Sequence, residues 1–214
     1  MAKTLFYGWG VNDADYQVWA NNGIPRCPYF RRWHSMVERG YSRKFKDKNY
    51  TYEMSTVNSE WQYFSVFKSW MESQIWLGTE LDKDVLVMGN KEYGSAACAF
   101  VPPYINKILN TSRPVKGTSL PLGVSIKDPR NSGINIYTGQ CRPYDGIGSR
   151  YLGRFETAGL AHSAWQVAKA VAIENAIEAY RTAECFRQDV SESLYSRVEM
   201  LRDDHANHRE TFSL

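Results

Sequence analysis

Five residues that could do chemistry together lie in the segment between residues 81 and 106. They are Asp82, Lys83, Asp84, Asn90 and Asn106. The acids precede an apolar run, VLVM, a Gly-Asn turn follows it, and the second asparagine closes the segment. We expect the order strand, turn, strand, helix, which together with paired acids is the outline of a metal-dependent nuclease site. The segment contains no histidine, so a common general base is missing.

The elements that must hold this segment are amphipathic. Residues 28–45 place aromatic and aliphatic side chains at intervals of three and four, which predicts a helix ending near Gly40. Residues 54–57 suit a short strand. A second helix is expected over Ser59–Met71, with Ser59 as its cap, because its large apolar side chains share one face.

The chain changes character after Asn106. Prolines and glycines interrupt the pattern, which predicts a domain boundary near residues 110–120. Beyond it, three strand-like segments separated by the turn-like sequences RNSG and DGIG predict a three-stranded antiparallel meander. An alanine-rich long helix is expected to start near Thr157 and to pack on this sheet. A second, charge-mixed helix is expected over residues 191–208.

Positive charge is concentrated in one stretch of the chain. The net charge is only +3, but residues 26–48 hold eight basic and two acidic residues, a local charge of +6. Aromatic residues interleave the basic ones. Basic groups suit a phosphate backbone and aromatic rings can stack on bases, so this helix is a candidate nucleic-acid surface. The alternative is a solvated helix face over an aromatic core.

Composition argues against two broad classes. No apolar run approaches the roughly 20 residues that span a bilayer, and the first residues lack the apolar core of a signal peptide, so no membrane association is expected. The four cysteines include no CxxC pair, which argues against a zinc knuckle and for reduced thiols. We expect a soluble, cytoplasmic protein, in the host cytoplasm if a phage encodes it.

Two long patterns in the chain resemble one protein family of tailed bacteriophages. The first joins LDKDVLVMGNKEY to CAFVPPYIN and follows YGWGVNDADY, CPYFRRWHSMVERGYS and EWQYFSVFKSWM. The second joins LPLGVSI to YLGRFETAGLAHSAWQVAKAVAI. Together they cover most of residues 7–180. They are similar to small HNH-type endonucleases fused to a DNA-binding module of the APETALA, or ethylene-response-factor, type.

The resemblance implies a ββα-metal fold for the first module. There, an acidic residue and an Asn or His of the following helix hold one divalent metal ion, which we expect to be Mg²⁺, with Mn²⁺ as the alternative. Asp82 and Asn106 are the implied ligands, since Asn106 follows Lys83 by 23 residues, close to the usual spacing. Asp84 is the alternative acid. Asn90 is expected to orient the loop, although a tight turn alone also explains it.

Lys83 stands where the family has its general-base histidine. A lysine acts as a base only when its environment depresses its pKa, and two flanking acids oppose that. It could instead stabilise the phosphorane, with Asp84 or metal-bound water supplying the nucleophile. The structural alternative is an ion-paired strand end.

The resemblance implies that the second module lays its sheet in the major groove of DNA. Strand alternation selects the candidate contacts, to which the basic helix adds three arginines. They are Lys127, Arg130, Tyr137, Gln140, Arg142, Arg150 and Arg154, with Arg31, Arg32 and Arg39. The alternative is that many of these strand residues simply face water. Trp165 lies on the long helix and is expected to pack on the sheet.

These expectations combine into an α+β protein with three parts. Residues 1–112 form an HNH-like nuclease module, residues 119–190 an APETALA-type module, and residues 191–214 a helical tail. The tail could support a homodimer. The expected function is metal-dependent cleavage of double-stranded DNA. The alternative is a catalytically degenerate HNH-like protein that binds DNA or acts as an inhibitor. A third reading gives the basic helix an acidic protein partner from phage or host.

Overall fold

The computed structural model describes residues 5–20, 23–24, 26–110, 120–127, 136–146 and 148–214. Over these residues the chain is α+β, with helices and several small sheets. It divides into two compact units, which are Met1–Val101 (unit 1) and Pro102–Leu214 (unit 2). In the described part of the chain, no helix has the length and apolarity needed to cross a bilayer.

Unit 1 combines short strand pairs with three helices in its described part. The strands are β1 (Leu5–Phe6), β2 (Gly10–Val11), β3 (Thr56–Val57), β4 (Glu80–Asp82), β5 (Glu92–Tyr93) and β6 (Ala99–Val101), and the helices are α1 (Pro28–Tyr41), α2 (Arg43–Lys48) and α3 (Phe64–Glu72). Strands β1 and β2 pair antiparallel, β3 and β5 pair parallel, and β4 and β6 pair antiparallel. The helix expected to end near Gly40 is confirmed, since α1 ends at Tyr41, and the expected strand over residues 54–57 is confirmed in shortened form as β3.

The core of unit 1 is aromatic. Helices α1 and α3 turn their apolar stripes inward, and Trp33, Trp61 and Phe67 are fully buried. The indole N–H of Trp33 donates to the carbonyl of Trp61 at 2.8 Å, which satisfies a donor that burial would otherwise leave unpaired. These contacts fix α1 against the segment that leads to β4.

The second expected helix begins later than its pattern suggested, and Ser59 is not its cap. A short 3₁₀ turn, Ser59–Trp61, comes first, and Asn58 caps it by accepting the N–H of Glu60 at 3.1 Å. Helix α3 starts only at Phe64 because Tyr63, its N-cap, has an extended backbone. An asparagine caps a helix as well as a serine does, so sequence alone could not choose between the neighbours.

The apolar run Val85–Met88 is not a strand, contrary to expectation. Strand β4 ends at Asp82, which lies opposite Ala99 of β6. The Asp82 carboxylate accepts the N–H groups of the residues that follow, and these side-chain contacts replace a continued strand ladder. The run therefore forms a loop between β4 and β5.

Unit 2 contains the expected three-stranded antiparallel sheet and long helix. Its elements are α4 (Pro103–Leu109), β7 (Val124–Lys127), β8 (Ile136–Cys141), β9 (Arg150–Phe155), α5 (Ala158–Tyr180) and α6 (Gln188–Ala206). The strand order is β7-β8-β9. Thr157 caps α5 by accepting the N–H of Leu160 at 3.2 Å. The meander and the helix start predicted from the sequence are both confirmed.

Helix α5 packs directly on this sheet. The indole of Trp165 fills the space where a side chain at Gly123 would stand, and Gly123 has a φ of +75°. A Cβ on Gly139 would lie 3.1 Å from the Ala161 carbonyl oxygen. Glycine is therefore required at both places for the helix to approach. Trp165 is buried, as expected for a core residue.

The division between the units falls earlier than residues 110–120. Helix α4 belongs to unit 2, and the buried ammonium of Lys169 on α5 donates to the Ile108 carbonyl at 2.5 Å. Ile108 lies in the last turn of α4, where carbonyl groups lack helical partners. A lysine thus fastens the end of α4 to α5.

Residues 191–214 are part of unit 2 rather than a separate tail. Helix α6 packs along α5, and the chain beyond it docks through a group we call the histidine cluster, namely His162, Gln166 and Thr211. His162 donates from Nδ1 to the Leu122 carbonyl at 2.9 Å and accepts the Thr211 N–H at Nε2 at 3.0 Å. Gln166 donates to the Thr211 hydroxyl at 3.0 Å.

Candidate functional site

The carboxylate of Asp82 organises the turn that follows β4. Asp82 is only 6% exposed, and its Oδ1 accepts the N–H groups of Asp84 at 2.9 Å and Val85 at 2.8 Å. A short acid at a strand end can replace ladder partners in this way. One carboxylate oxygen is therefore committed to the backbone. We call residues 82–92 the acid loop.

Asp82 and Asp84 govern each other's protonation. Burial, reinforced by the negative charge of Asp84, raises the pKa of Asp82 to about 7. Burial would also raise the pKa of Asp84, but its hydrogen bond with Asp82 and the charge of Lys83 lower that pKa instead. In its protonated form Asp82 donates a hydrogen bond to the Asp84 carboxylate, which is why each carboxyl group shifts the pKa of the other.

Lys83 is held between the two ends of the acid loop. Its Nζ lies 3.0 Å from Asp84 Oδ2 and donates to the Asn90 carbonyl at 3.1 Å. The residue is buried, and its side chain is almost enclosed. The ammonium is therefore fixed beside the acids. This geometry suits stabilisation of negative charge better than proton abstraction.

Asn90 closes the acid loop. Its amide nitrogen donates to the carbonyls of Lys83 and Glu92, both at 2.6 Å, and its Oδ1 accepts the Glu92 N–H at 3.2 Å. The Asn90 side chain thus joins Lys83, near the start of the acid loop, to Glu92 at its end. These contacts are compatible with the expected role of Asn90 in orienting the loop. The tight turn that was the alternative explanation is also present, because Gly89 has a φ of +75°.

Asn106 belongs to the other compact unit. It lies on α4, half-buried, and its Oδ1 accepts a hydrogen bond from the Asn110 amide at 3.2 Å. Among the residues that the structure describes, no three His, Cys, Asp or Glu side chains converge on a position that could hold a metal ion. The acid loop therefore offers two carboxylates, and no third ligand of these types.

The donors of the acid loop fit Mg²⁺ in kind. Mg²⁺ binds through one or two carboxylates and completes its shell with waters and substrate phosphate oxygens, so two acids are sufficient protein ligands. Burial and the charge of Asp84 raise the pKa of Asp82 to about 7, so a cation beside the two acids would favour the ionised form of Asp82. A divalent ion would compete with the Lys83 ammonium for Asp84.

The three arginines of α1 have different surroundings. Arg32 donates to the Thr79 carbonyl at 2.6 Å, and burial lowers its pKa. Arg39 donates to the Tyr93 hydroxyl at 3.5 Å, with its guanidinium 5.6 Å from the centre of the Tyr52 ring. Arg31 is exposed. Arg32 and Arg39 thus make internal contacts that hold α1 to the rest of unit 1.

The sheet residues selected by alternation divide between two faces. Gly139 faces α5, so its neighbour Thr138 and the Thr138 partner Arg154 face away. A bulge after Gly139 then pairs Gln140 with Tyr151, which also face away from α5. With Lys127, opposite Ile136, these residues form what we call the open face. Its described and exposed members are Lys127, Gln140, Tyr151 and Arg154.

The remaining sheet candidates lie elsewhere. Tyr137 pairs with Phe155, and Arg150 pairs with Cys141, which places both on the side of α5. Arg142 follows β8 and is exposed. Arg130 lies outside the described residues. The bulge separates Arg150 from Arg154, because one extra residue in β9 reverses the alternation, whereas Tyr137 and Gln140 of β8 are three residues apart and face opposite sides by alternation alone.

Tyr151 is a candidate that the sequence pattern missed. It is 57% exposed and lies beside Gln140 on the open face. An exposed aromatic ring among basic and amide side chains is a common feature of surfaces that contact nucleic acid. The paired glycines Gly139 and Gly153 were the available signal for a bulge, and simple alternation ignores them.

No protein-family model matches this chain, and neither the curated proteins nor the solved structures contain a significant match to it. The HNH-type phage nuclease family, the metal and the DNA partner therefore stay predictions drawn from sequence motifs.

Proposed function

We propose that the chain is a DNA endonuclease of the HNH type that hydrolyses phosphodiester bonds of double-stranded DNA with Mg²⁺ or Mn²⁺. The acid loop carries this proposal, because it places two carboxyl groups side by side, with that of Asp82 buried and fixed by backbone contacts and that of Asp84 partly exposed. A second acid beside a buried carboxyl group is costly, and groups with such shifted pKa values are common at functional sites. The phage-type motifs agree with this assignment.

The residues of the loop take separate parts in this proposal. Mg²⁺, when bound, stabilises the charge that develops on the phosphorane and the leaving oxygen. Asp82 and Asp84 hold the ion. Lys83 stabilises negative charge on the phosphate. Asp84, whose lowered pKa keeps it ionised, orients the attacking water, while Asn90 keeps Lys83 in place.

A catalytically degenerate DNA-binding protein is the second candidate. It is favoured by the ion pair of Lys83 with Asp84, because the residue in the place of the general base is already engaged. The segment between residues 81 and 106 also contains no histidine. In this candidate the acid loop only stabilises unit 1, and the open face accounts for DNA binding.

Plasmid cleavage distinguishes the two candidates. Supercoiled DNA is incubated with wild type, Asp82→Asn and the control Asp47→Asn, each with Mg²⁺ and with Mn²⁺. Asparagine keeps the Oδ1 acceptor for the two backbone N–H groups but removes the carboxylate, so the loop survives. We expect wild type and Asp47→Asn to cleave, and Asp82→Asn to be slower by about two orders of magnitude or more.

Two outcomes would overturn the endonuclease assignment in different ways. Full activity of Asp82→Asn would show that the acid loop is not the site. No cleavage by wild type with either metal, together with retained DNA binding, would favour the degenerate protein. A nuclease contaminant is excluded when wild type and Asp47→Asn cleave but the identically purified Asp82→Asn does not.

The open face is tested separately through DNA affinity. Arg154→Ala removes a cation from the open face, and Arg150→Ala removes one from the side of α5, so they form a matched pair. We expect Arg154→Ala to weaken binding uniformly across sequences and to reduce the salt slope by about 1, with a smaller change for Arg150→Ala. Equal effects would count against the open face as the DNA surface.

A further inference from the structure

The tip of the acid loop is apolar and exposed. Val87 is 54% exposed and Met88 is 45% exposed, although Val85, two residues before Val87, is buried. The N–H of Asn90 donates to the Val87 carbonyl at 3.0 Å, and Gly89 has a φ of +75°. A turn closed in this way, with glycine in its third position, is typical of type II. It holds two apolar side chains outward at a fixed place.

Hydrogen bonds hold the base of the acid loop in place. Asn90 bridges the carbonyls of Lys83 and Glu92, and Lys83 donates back to the Asn90 carbonyl. Asp82 fixes the first turn from the other side. A loop anchored at both ends presents its tip with little conformational entropy left to lose, which favours insertion into a partner.

The position of the tip relates it to DNA. Val87 and Met88 are only three and four residues beyond Asp84, so the tip and the acid pair belong to the same loop. The exposed Lys91 follows the tip and provides positive charge for a phosphate backbone. Apolar side chains such as Met and Leu act as wedges between base pairs in proteins that bend DNA through the minor groove.

We propose that the Val87–Met88 tip inserts between adjacent base pairs of the duplex and bends it, which brings the scissile phosphate to Asp82 and Asp84. This inference rests on the proposed endonuclease function and adds a DNA-distorting element to it. Insertion unstacks a base step, and contacts that the bend permits along the rest of the site offset that cost.

The test measures DNA unwinding, which is independent of target sequence. Relaxed plasmid is bound by protein in EDTA, treated with a type I topoisomerase that needs no metal, and deproteinised, and the change in linking number is read on a gel. The variants are Val87→Ser with Met88→Ser, and the control Leu77→Ser, which changes a residue that is 80% exposed elsewhere in unit 1. DNA affinity and Mg²⁺-dependent cleavage are measured on the same preparations.

We expect wild type and Leu77→Ser to change the linking number equally. The double serine variant should lose most of that change per bound molecule, bind DNA about threefold to tenfold more weakly, and cleave more slowly. Unwinding by the double variant equal to wild type would overturn the wedge. Cleavage by wild type with no linking change would overturn the wedge while leaving the endonuclease in place. A wild-type chain that neither binds nor cleaves DNA would overturn both.

Discussion

The acid loop of unit 1 and the histidine cluster of unit 2 both bury polar side chains, but they satisfy them differently. In the histidine cluster, donors and acceptors alternate, so His162 lies between the Leu122 carbonyl and the Thr211 amide. In the acid loop, two carboxyl groups lie side by side, and the charge of Asp84 adds to burial in raising the pKa of Asp82. The first arrangement is complete without a ligand, whereas for the second we propose a cation.

This difference separates structural from functional burial in the same chain. A buried group with complementary partners stabilises the fold, and removing it leaves those partners unsatisfied. A buried like-charge pair costs stability and persists where it serves another purpose. Substitutions in the histidine cluster should therefore destabilise the protein, and neutralising Asp82 should not.

The largest loss of stability is expected for His162→Ala. His162 is 3% exposed, bonds to two backbone groups, and stacks on Trp165 with ring centres 5.3 Å apart. Truncation leaves a cavity and two unpaired buried groups, so the free energy of unfolding should fall by about 3 kcal/mol. Urea denaturation measures it. A loss below about 1 kcal/mol would mean that the cluster does not hold the C-terminal segment.

The difference in unfolding free energy between wild type and Lys169→Met is expected to depend on pH. Burial lowers the pKa of Lys169 to about 8, from an unfolded value of 10.5. Between these values the unfolded chain keeps a proton that the folded chain has lost, so stability rises with pH. Both proteins carry Cys141→Ala, because the charge of Lys169 acts on the pKa of the Cys141 thiol. From pH 7.5 to 9, wild type should gain about 1–2 kcal/mol over the variant.

The measurement for Lys169→Met is urea denaturation across that pH range. Methionine has a similar length and no charge, so it preserves the packing between α4 and α5. A difference in unfolding free energy that stays constant with pH would contradict a lysine that loses its proton on folding.

Asn90→Ala should open the base of the acid loop. It removes three hydrogen bonds that lie near the surface, so we expect a loss of about 1–2 kcal/mol. Amide hydrogen exchange should rise at Asp84 and Val85 while the histidine cluster is unchanged. Asn90→Asp is the control, because it keeps the acceptor for the Glu92 N–H but loses both donors. Unchanged exchange in Asn90→Ala would show that the loop is held elsewhere.

The smallest stability effect is expected for Asp82→Asn. The substitution keeps the acceptor of the two backbone N–H groups and removes a carboxyl group whose charged form is disfavoured by burial. At pH 7.5, without metal, the unfolding free energy should be unchanged or higher by up to about 1 kcal/mol. A loss of several kcal/mol would make the carboxylate structural and weaken the contrast with His162.

The sequence predicted the elements whose patterns are long and periodic. The helix starting after Thr157 and the meander before it have strong local signals, namely a cap, an alanine-rich face and turn-like separators. The apolar run VLVM predicted a strand, but it forms a loop. Val85 is buried in that loop, whereas Val87 and Met88 are exposed at its tip. Only the Asp82 contacts, which are tertiary detail, end the strand there.

The candidate site was predictable in composition but not in chemistry. The grouping of Asp82, Lys83, Asp84 and Asn90 follows from their closeness in sequence. The raised pKa of Asp82 follows mainly from burial, which no sequence pattern reveals. On the sheet, alternation failed at the bulge after Gly139, which exchanged Arg150 for Tyr151 on the open face. The charge of Arg32 and Arg39 predicts contacts with DNA. Both instead bond to internal partners, Thr79 and Tyr93, which lie far away in the sequence.

Binding of Mn²⁺ tests the central claim, that the acid loop is a cation site, most directly. Free Mn²⁺ is followed by electron paramagnetic resonance during titration of wild type, Asp82→Asn and the control Asp47→Asn, which removes an exposed carboxylate. We expect one Mn²⁺ per chain in wild type and Asp47→Asn, displaced by Mg²⁺, and an affinity at least tenfold weaker in Asp82→Asn. No binding by wild type, or equal binding by Asp82→Asn, would contradict the account.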